Sequence, residues 1–289
     1  MRCKKPARQT WLGMAFAVIA LPGKADEVAP EIRLYTLECG HYAQYDMRIL
    51  SDTGEYEGKS GSLADPCFLI RHPKGILLWD TGGADPVERI PVGMDVHSTP
   101  KPLSVTIVSQ LKVLGLTSKD IDYVAFSHFH GDHIGNATAF PTATWVINRA
   151  ELDWARKNPG GSSGPEFLAA LKNHVKTKVI DTYYDLEKDY DVFGDRSVKV
   201  LNTPGHTPGS QSLEVRLGHS GTVILTGDLY QTTENLKHRR VPEENYSRAE
   251  SLASMDRIAE IAKQTRARVV VQMAEDDFDS LPKFPAFLD

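Results

Sequence analysis

The sequence predicts an α/β fold, and three observations carry that expectation. Short runs of β-branched and aromatic residues recur, among them Ile121–Phe126, Thr144–Asn148 and Arg268–Gln272, and they read as buried strands. Helical stretches alternate with them. Ser104–Leu114 is stopped by Gly115, Arg149–Lys176 flanks a Gly160–Gly164 break, and Ser247-Arg-Ala-Glu250 forms a capping box before a further helix. Finally, 289 residues with 41% hydrophobic content suffice for one large domain with a real core.

The first residues differ in kind. Arg2, Lys4, Lys5 and Arg8 precede the apolar run Trp11–Leu21, and Pro22-Gly23-Lys24-Ala25 places small residues at the −3 and −1 positions of a cut after Ala25. This layout predicts a signal peptide over 1–25, a single folded domain over 26–289, and a periplasmic or secreted product. The apolar run is too short to span a bilayer, so no stable membrane insertion is expected after cleavage. The leader holds five of the 33 basic residues and none of the 38 acidic ones, so without it the formal charge is −10 (28 basic, 38 acidic). Such a surface argues against nucleic acid as a partner, because phosphate binding wants Lys and Arg. Cys39 and Cys67 remain in the domain; in an oxidising compartment they would pair, or else stay as two buried thiols.

From residue 32 the elements run in order. Ile32–Leu37 is a first strand. His41 to Ser62 is polar, with Gly54, Gly58 and Gly61 as turn signals. Pro66–Arg71 and Gly75–Asp80 form a hairpin, ending in Asp80-Thr81-Gly82. Asp85 to Lys101 is rich in Pro and Gly and reads as a loop near the site, with His97 in it. Short strands follow at Lys178–Ile180, Val198–Leu201, Leu213–Leu217 and Val223–Thr226.

The chemistry concentrates where strands end. Ile121–Phe126 runs into Ser127-His128-Phe129-His130-Gly131-Asp132-His133, with a short helix expected to start at Asp132. His128 and His130 can point one way, and Asp132 with His133 another; two pairs of N/O ligands suit two adjacent divalent ions of zinc type. Further on, Thr203-Pro-Gly-His206-Thr-Pro-Gly209 sets a histidine in a rigid loop, and Thr226-Gly-Asp228 sets a carboxylate after a strand. The Gly-x-Ser-x-Gly match at Gly160–Gly164 sits in a break between helical stretches and not after a strand, so it is no nucleophile elbow, and no cysteine lies near a histidine motif.

The spacing His128-x-His130-x-Asp132-His133, with His206 and Asp228 following in order, resembles the metallo-β-lactamase superfamily. The resemblance spans roughly 32 to 285. It implies an αββα sandwich, two mixed β-sheets flanked by helices. It implies one metal on His128, His130 and His206 and a second on Asp132, His133 and Asp228, with Asp228 bridging, so one or two Zn2+ per chain. It implies that Asp80 braces the metal loops without binding metal.

Gly227-Asp-Leu-Tyr230 with Thr233-Glu-Asn235, and Leu281-Pro-Lys283 after Asp-Asp-Phe, resemble the N-acyl-homoserine lactonase branch. That branch implies a quorum-quenching hydrolase acting on small acyl lactones. Tyr230 would hydrogen-bond the lactone carbonyl and Asp132 would hand a proton to the leaving alkoxide, with the acyl tail against 88–96 and Phe129. The chain departs from the branch at one place: Met273 stands where its last ligand histidine sits. That departure implies a weakened second metal, unless Gln272, Glu275 or His97 substitutes. Two other readings stay open at this point, another two-metal hydrolase such as a thioesterase or phosphodiesterase, and a metal-binding homologue with weakened catalysis.

Overall fold

The computed structural model describes residue 1 and residues 31–84, 99–100, 105–159, 163–182 and 185–289. The expected leader, the loop 85–98 and His97 lie outside the described residues. Two sheets form the frame. The seven-stranded sheet runs, in spatial order, Phe287–Leu288, Arg33–Leu37, Cys67–His72, Gly75–Trp79, Tyr123–Ala125, Thr144–Asn148 and Thr177–Ile180. The five-stranded sheet runs Tyr190–Asp191, Val198–Asn202, Gln211–Arg216, Thr222–Leu225 and Arg268–Val270. In each sheet, hairpins pair antiparallel and the crossovers through helices pair parallel, as at Leu78 with Val124 and Ile224 with Val269.

Alternation along the strands decides the layers. Leu34, Phe68, Ile70, Leu77, Trp79 and Val146 from one sheet meet Val198, Val200, Leu213, Val215, Val223 and Leu225 from the other in one buried cluster. The intervening strand positions face outward and are covered by helices. Leu69, Leu78, Val124 and Trp145 pack under Ile107–Val113, Arg149–Lys157 and Pro165–Asn173. Leu201 and Ile224 pack under Arg248–Thr265 through Met255 and Ile258. The expected αββα sandwich is therefore what the chain forms. Each large apolar side chain fully buried here contributes about 1.5–3 kcal/mol. None of the helices among the described residues is long and apolar enough to cross a membrane.

The stretch His41 to Ser62 was expected to be irregular, and it is not. His41–Asp46 pairs with Ser60–Ala64 across a register shift, and with Thr99–Pro100 on its other edge, forming a small third sheet. Tyr42, Tyr45, Ile49, Leu50 and Leu63 form a separate buried cluster there, joined by Met273. Cys39 and Cys67 are joined by a disulfide across the start of this layer.

Candidate dinuclear metal centre

Every predicted ligand sits just past the end of a strand at the same edge of the sandwich. Tyr123–Ala125 delivers the histidine loop, Val198–Asn202 delivers His206, and Thr222–Leu225 delivers Asp228. The short helix Gly131–Ile134 is capped by His130, so Asp132 lies in its first turn and does not start it. Gly227 takes a left-handed φ of 52°, and a Cβ there would lie 2.7 Å from Ser127 Cβ, so glycine lets the two loops touch.

The ligand atoms converge. His128, His130 and His206 form one group, and His128, His133 and Asp228 a second, each with its donor atoms within 4.8 Å of one another. Asp228 stands between them. Its Oδ2 lies 3.5 Å from His206 Nε2 and 3.9 Å from His128 Nε2, while its Oδ1 lies 3.3 Å from His133 Nε2. Asp132 Oδ2 is 3.7 Å from His133 Nε2, on the outer side of the second group. His128 Nε2, His133 Nε2 and Asp228 Oδ1 are buried without a hydrogen-bond partner. Unpartnered buried donors cost several kcal/mol each unless something satisfies them, and a cation between them would. The donor set therefore fits two divalent ions.

A network outside the ligands fixes their orientation. Asp80 Oδ2 lies 2.9 Å from His133 Nδ1, and Asp80 Oδ1 accepts the Ser127 N–H at 2.6 Å. Gln272 donates to Asp80 at 2.7 Å and accepts from the Trp79 indole at 3.0 Å. Asn245 holds His206 Nδ1 at 3.0 Å, and Ser127 Oγ lies 3.0 Å from His128 Nδ1. Asp80 keeps a left-handed φ of 58° to do this. The bracing role expected of Asp80 is what its geometry gives. Glu151 joins the two histidine loops: it accepts from Phe129 N–H at 2.9 Å, Gly209 N–H at 3.0 Å and Thr207 Oγ1 at 2.7 Å.

Burial shapes the electrostatics. It holds His128 and His130 well below the usual imidazole range, and their neighbouring rings push the same way. Burial also opposes a charged His133, but the carboxylates of Asp228, Asp132 and Asp80 outweigh it and raise the ring's pKa. For Asp228 the burial penalty is outweighed by His133 and His206, which bring it down to about 2.

A cavity of about 280 Å³ opens onto His130, Asp132, His206 and Asp228. Its walls include Tyr45, Leu63, Trp154, Gln231, Tyr246 and Met273. A larger hollow of about 520 Å³, beside Thr36, Glu38 and Phe284, touches none of the ligands and lacks the chemistry.

Residues 63–268 match the metallo-β-lactamase superfamily model. The chain belongs to the metallo-β-lactamase superfamily. Within it, the chain is 31% identical to the N-acyl homoserine lactonase AttM of Azorhizobium caulinodans over 264 residues, 90% of this chain and 99% of that one. It is 29% identical to the N-acyl homoserine lactonase AiiA of Bacillus thuringiensis subsp. kurstaki, over 80% of this chain and 89% of that one. Among solved structures, an N-acyl homoserine lactone hydrolase with its product N-hexanoyl-L-homoserine at the catalytic metal centre matches at TM-score 0.74 and 27% identity. That match covers 89% of this chain and 98% of that one. The dizinc quorum-quenching lactonase AidC, at 17% identity and TM-score 0.61, shares the superfamily fold.

Several sequence expectations need correction in this superfamily frame. Tyr230 does not reach the cavity. It is 2% exposed, packed with Leu201, Ile224 and Met255 beneath the helix Arg248–Thr265, and the charges acting on its hydroxyl are those of Arg239 and Asp256. The turn at Gly227–Leu229 sends Tyr230 into the core and brings Gln231 to the cavity instead. Phe129 is likewise core, stacked edge-on against Phe126 and Phe167, and cannot line an acyl site. Neither described substitute for a histidine at 273 is free: Gln272 is held by Trp79 and Asp80, and Glu275 faces His41 at 3.5 Å. The polar wall residues Tyr45 and Gln231 carried no local signal. Tyr45 lies in a segment with no strand period, and Gln231 is one residue past the tyrosine that drew attention.

Proposed function

We propose that this chain is a zinc-dependent hydrolase that opens the lactone ring of N-acyl homoserine lactones. One observation carries the hydrolytic reading: Asp228 turns one oxygen toward His128 and His206 and the other toward His133. His128, His130 and His206 would hold one ion, and Asp132, His133 and the shared Asp228 the other. When bound, such ions supply water of lowered pKa and polarise a carbonyl. The lactone as substrate is supported by the AttM and AiiA relatives and by the product-bound lactonase structure.

The chain's own residues then have these parts. The Tyr45 hydroxyl, on the cavity wall and within the field of Asp132 and Asp228, donates to the carbonyl oxygen as negative charge builds on it. Asp132, buried at the cavity floor beside His133, carries the proton to the leaving alkoxide. Leu63, Trp154 and Met273 give the acyl chain an apolar wall and keep bulk water from the carbonyl. Water adds across the ester bond, and the product is the open hydroxy acid.

Zinc-loaded protein should open N-hexanoyl and N-decanoyl homoserine lactone, and His206→Ala should abolish activity and metal retention at the first position. Faster turnover of thioesters or phosphodiesters than of any lactone would overturn the substrate assignment.

Export to an oxidising compartment belongs to the same reading. Its support is the apolar run Trp11–Leu21 after four basic residues and the Cys39–Cys67 pair. Intact mass of protein recovered from the periplasm should show a start near Asp26, and a full-length cytoplasmic product would contradict this.

A further inference from the structure

Asp65 is a fully buried carboxylate near the metal centre to which the assigned chemistry gives no part. It is wholly buried, and neither Oδ1 nor Oδ2 has a hydrogen-bond partner among the described residues. Buried carboxylates are held by donors or cations, because water has been taken from them and nothing else offsets the charge. Among the described residues, no Lys or Arg bonds to it. The charged groups that act on Asp65 most are His133, Asp132, Asp80 and Asp228, the set around the second metal position.

Its place in the fold is tied to Met273. The backbone N–H of Ala64 donates to the Met273 carbonyl at 3.0 Å, and Gln272 Nε2 reaches the Pro66 carbonyl at 3.3 Å. Asp65 therefore leaves the chain between two residues fastened to Gln272 and Met273. The same Gln272 amide donates to Asp80, which braces His133. Room for the carboxylate comes from Gly40, where a Cβ would sit 2.5 Å from Asp65 Oδ2. Met273 itself lines the cavity but offers only a neutral thioether, a poor ligand for zinc.

We propose that Asp65 completes the second metal position, supplying the anionic oxygen donor on the side where the lactonase pattern has histidine and this chain has Met273. A carboxylate is a harder and more strongly charged donor than a thioether, so it offsets the loss of an imidazole. The unpartnered buried carboxyl group and the missing ligand thus explain each other. The inference rests on the two-metal reading of the site, and the following experiment separates the two.

Wild type, Asp65→Asn and Asp65→Asn with Met273→His are loaded with zinc, dialysed, and analysed for zinc per chain and for the thermal shift that zinc produces. Wild type should retain two zinc ions. Asp65→Asn should fall toward one, with a second-site affinity at least ~10–100-fold weaker, the range for losing a supporting partner, and a smaller zinc-induced shift. Adding Met273→His should restore the second ion, which shows that the single variant is folded and lacks only a donor. Two ions retained with unchanged affinity in Asp65→Asn would overturn the inference, as would a single ion in wild type. A wild type that retains no zinc at all would overturn the metal reading itself, and this inference with it.

Discussion

Asp80 Oδ2 lies 2.9 Å from His133 Nδ1, with both side chains fully sealed from solvent. This contact fixes which ring nitrogen of His133 faces the cavity, because the proton on Nδ1 is committed to Asp80. Asp80→Asn keeps the shape but removes the charge that makes the ring a strong donor. Metal affinity should fall by ~10–100-fold in a chelator competition, with the fold intact by circular dichroism. Unchanged affinity would remove Asp80 from the support of the centre.

The two tyrosines should separate cleanly. Tyr45 lines the cavity and Tyr230 lies in the helix-covered core. Tyr45→Phe should lower lactone turnover by ~10–1,000-fold, the range for losing one donor to a developing oxyanion, at constant metal content. Tyr230→Phe should leave turnover within a factor of a few. The reverse pattern, read from steady-state kinetics, would return the role to Tyr230.

Glu151 is the clamp between the loops that carry His130 and His206. Removing its carboxylate strands two buried backbone N–H groups, those of Phe129 and Gly209. Glu151→Ala should cost roughly 2–6 kcal/mol of unfolding free energy, from two unsatisfied donors at about 1–3 kcal/mol each. Urea unfolding of the metal-free proteins measures it, and a change under 0.5 kcal/mol, the ordinary surface-mutation range of about ±0.5 kcal/mol, would contradict the clamp.

The Cys39–Cys67 bond closes a loop with a sequence separation of 28. By the loop-entropy account it contributes about 3–4 kcal/mol. Reduction should lower the thermal midpoint while zinc content stays the same, since neither sulfur is among the assigned ligands. A midpoint indifferent to reductant would show that the bond does not support the fold.

What the sequence made legible was local. His128, His130, Asp132 and His133 fall within one strand exit, and His206 and Asp228 each follow a strand with glycine or proline beside it, so the resemblance to the superfamily pattern could be traced residue by residue. Asp80 was legible for the same reason, at the end of the hairpin Gly75–Trp79. The strands and helices were legible from β-branched runs and helix stop and cap signals, and their arrangement as a sandwich followed from the resemblance. What stayed hidden depends on pairing at a distance. His41–Asp46 reads as a polar stretch because its partner strand Ser60–Ala64 lies beyond Gly54 and Gly58 and across a register shift, so Tyr45 gave no sign of lining the cavity. Tyr230 drew the carbonyl-binding role through the resemblance to the lactonase branch, and the turn at Gly227–Leu229 sends it into the core. The pairing of Cys39 with Cys67 needed the register of Leu37 against Cys67, which no spacing rule supplies.

The central claim is that lactone opening takes place at the centre shared by Asp228. Its most direct test is the rate of N-hexanoyl homoserine lactone ring opening by zinc-loaded wild type and zinc-loaded Asp228→Ala, followed by the acid released at constant pH. Wild type should open the ring with linear dependence on enzyme concentration, and the variant should lose at least ~100-fold, since both ions lose their common ligand. A variant that opens the lactone at the wild-type rate, or a fully zinc-loaded wild type that leaves it closed, would contradict the account.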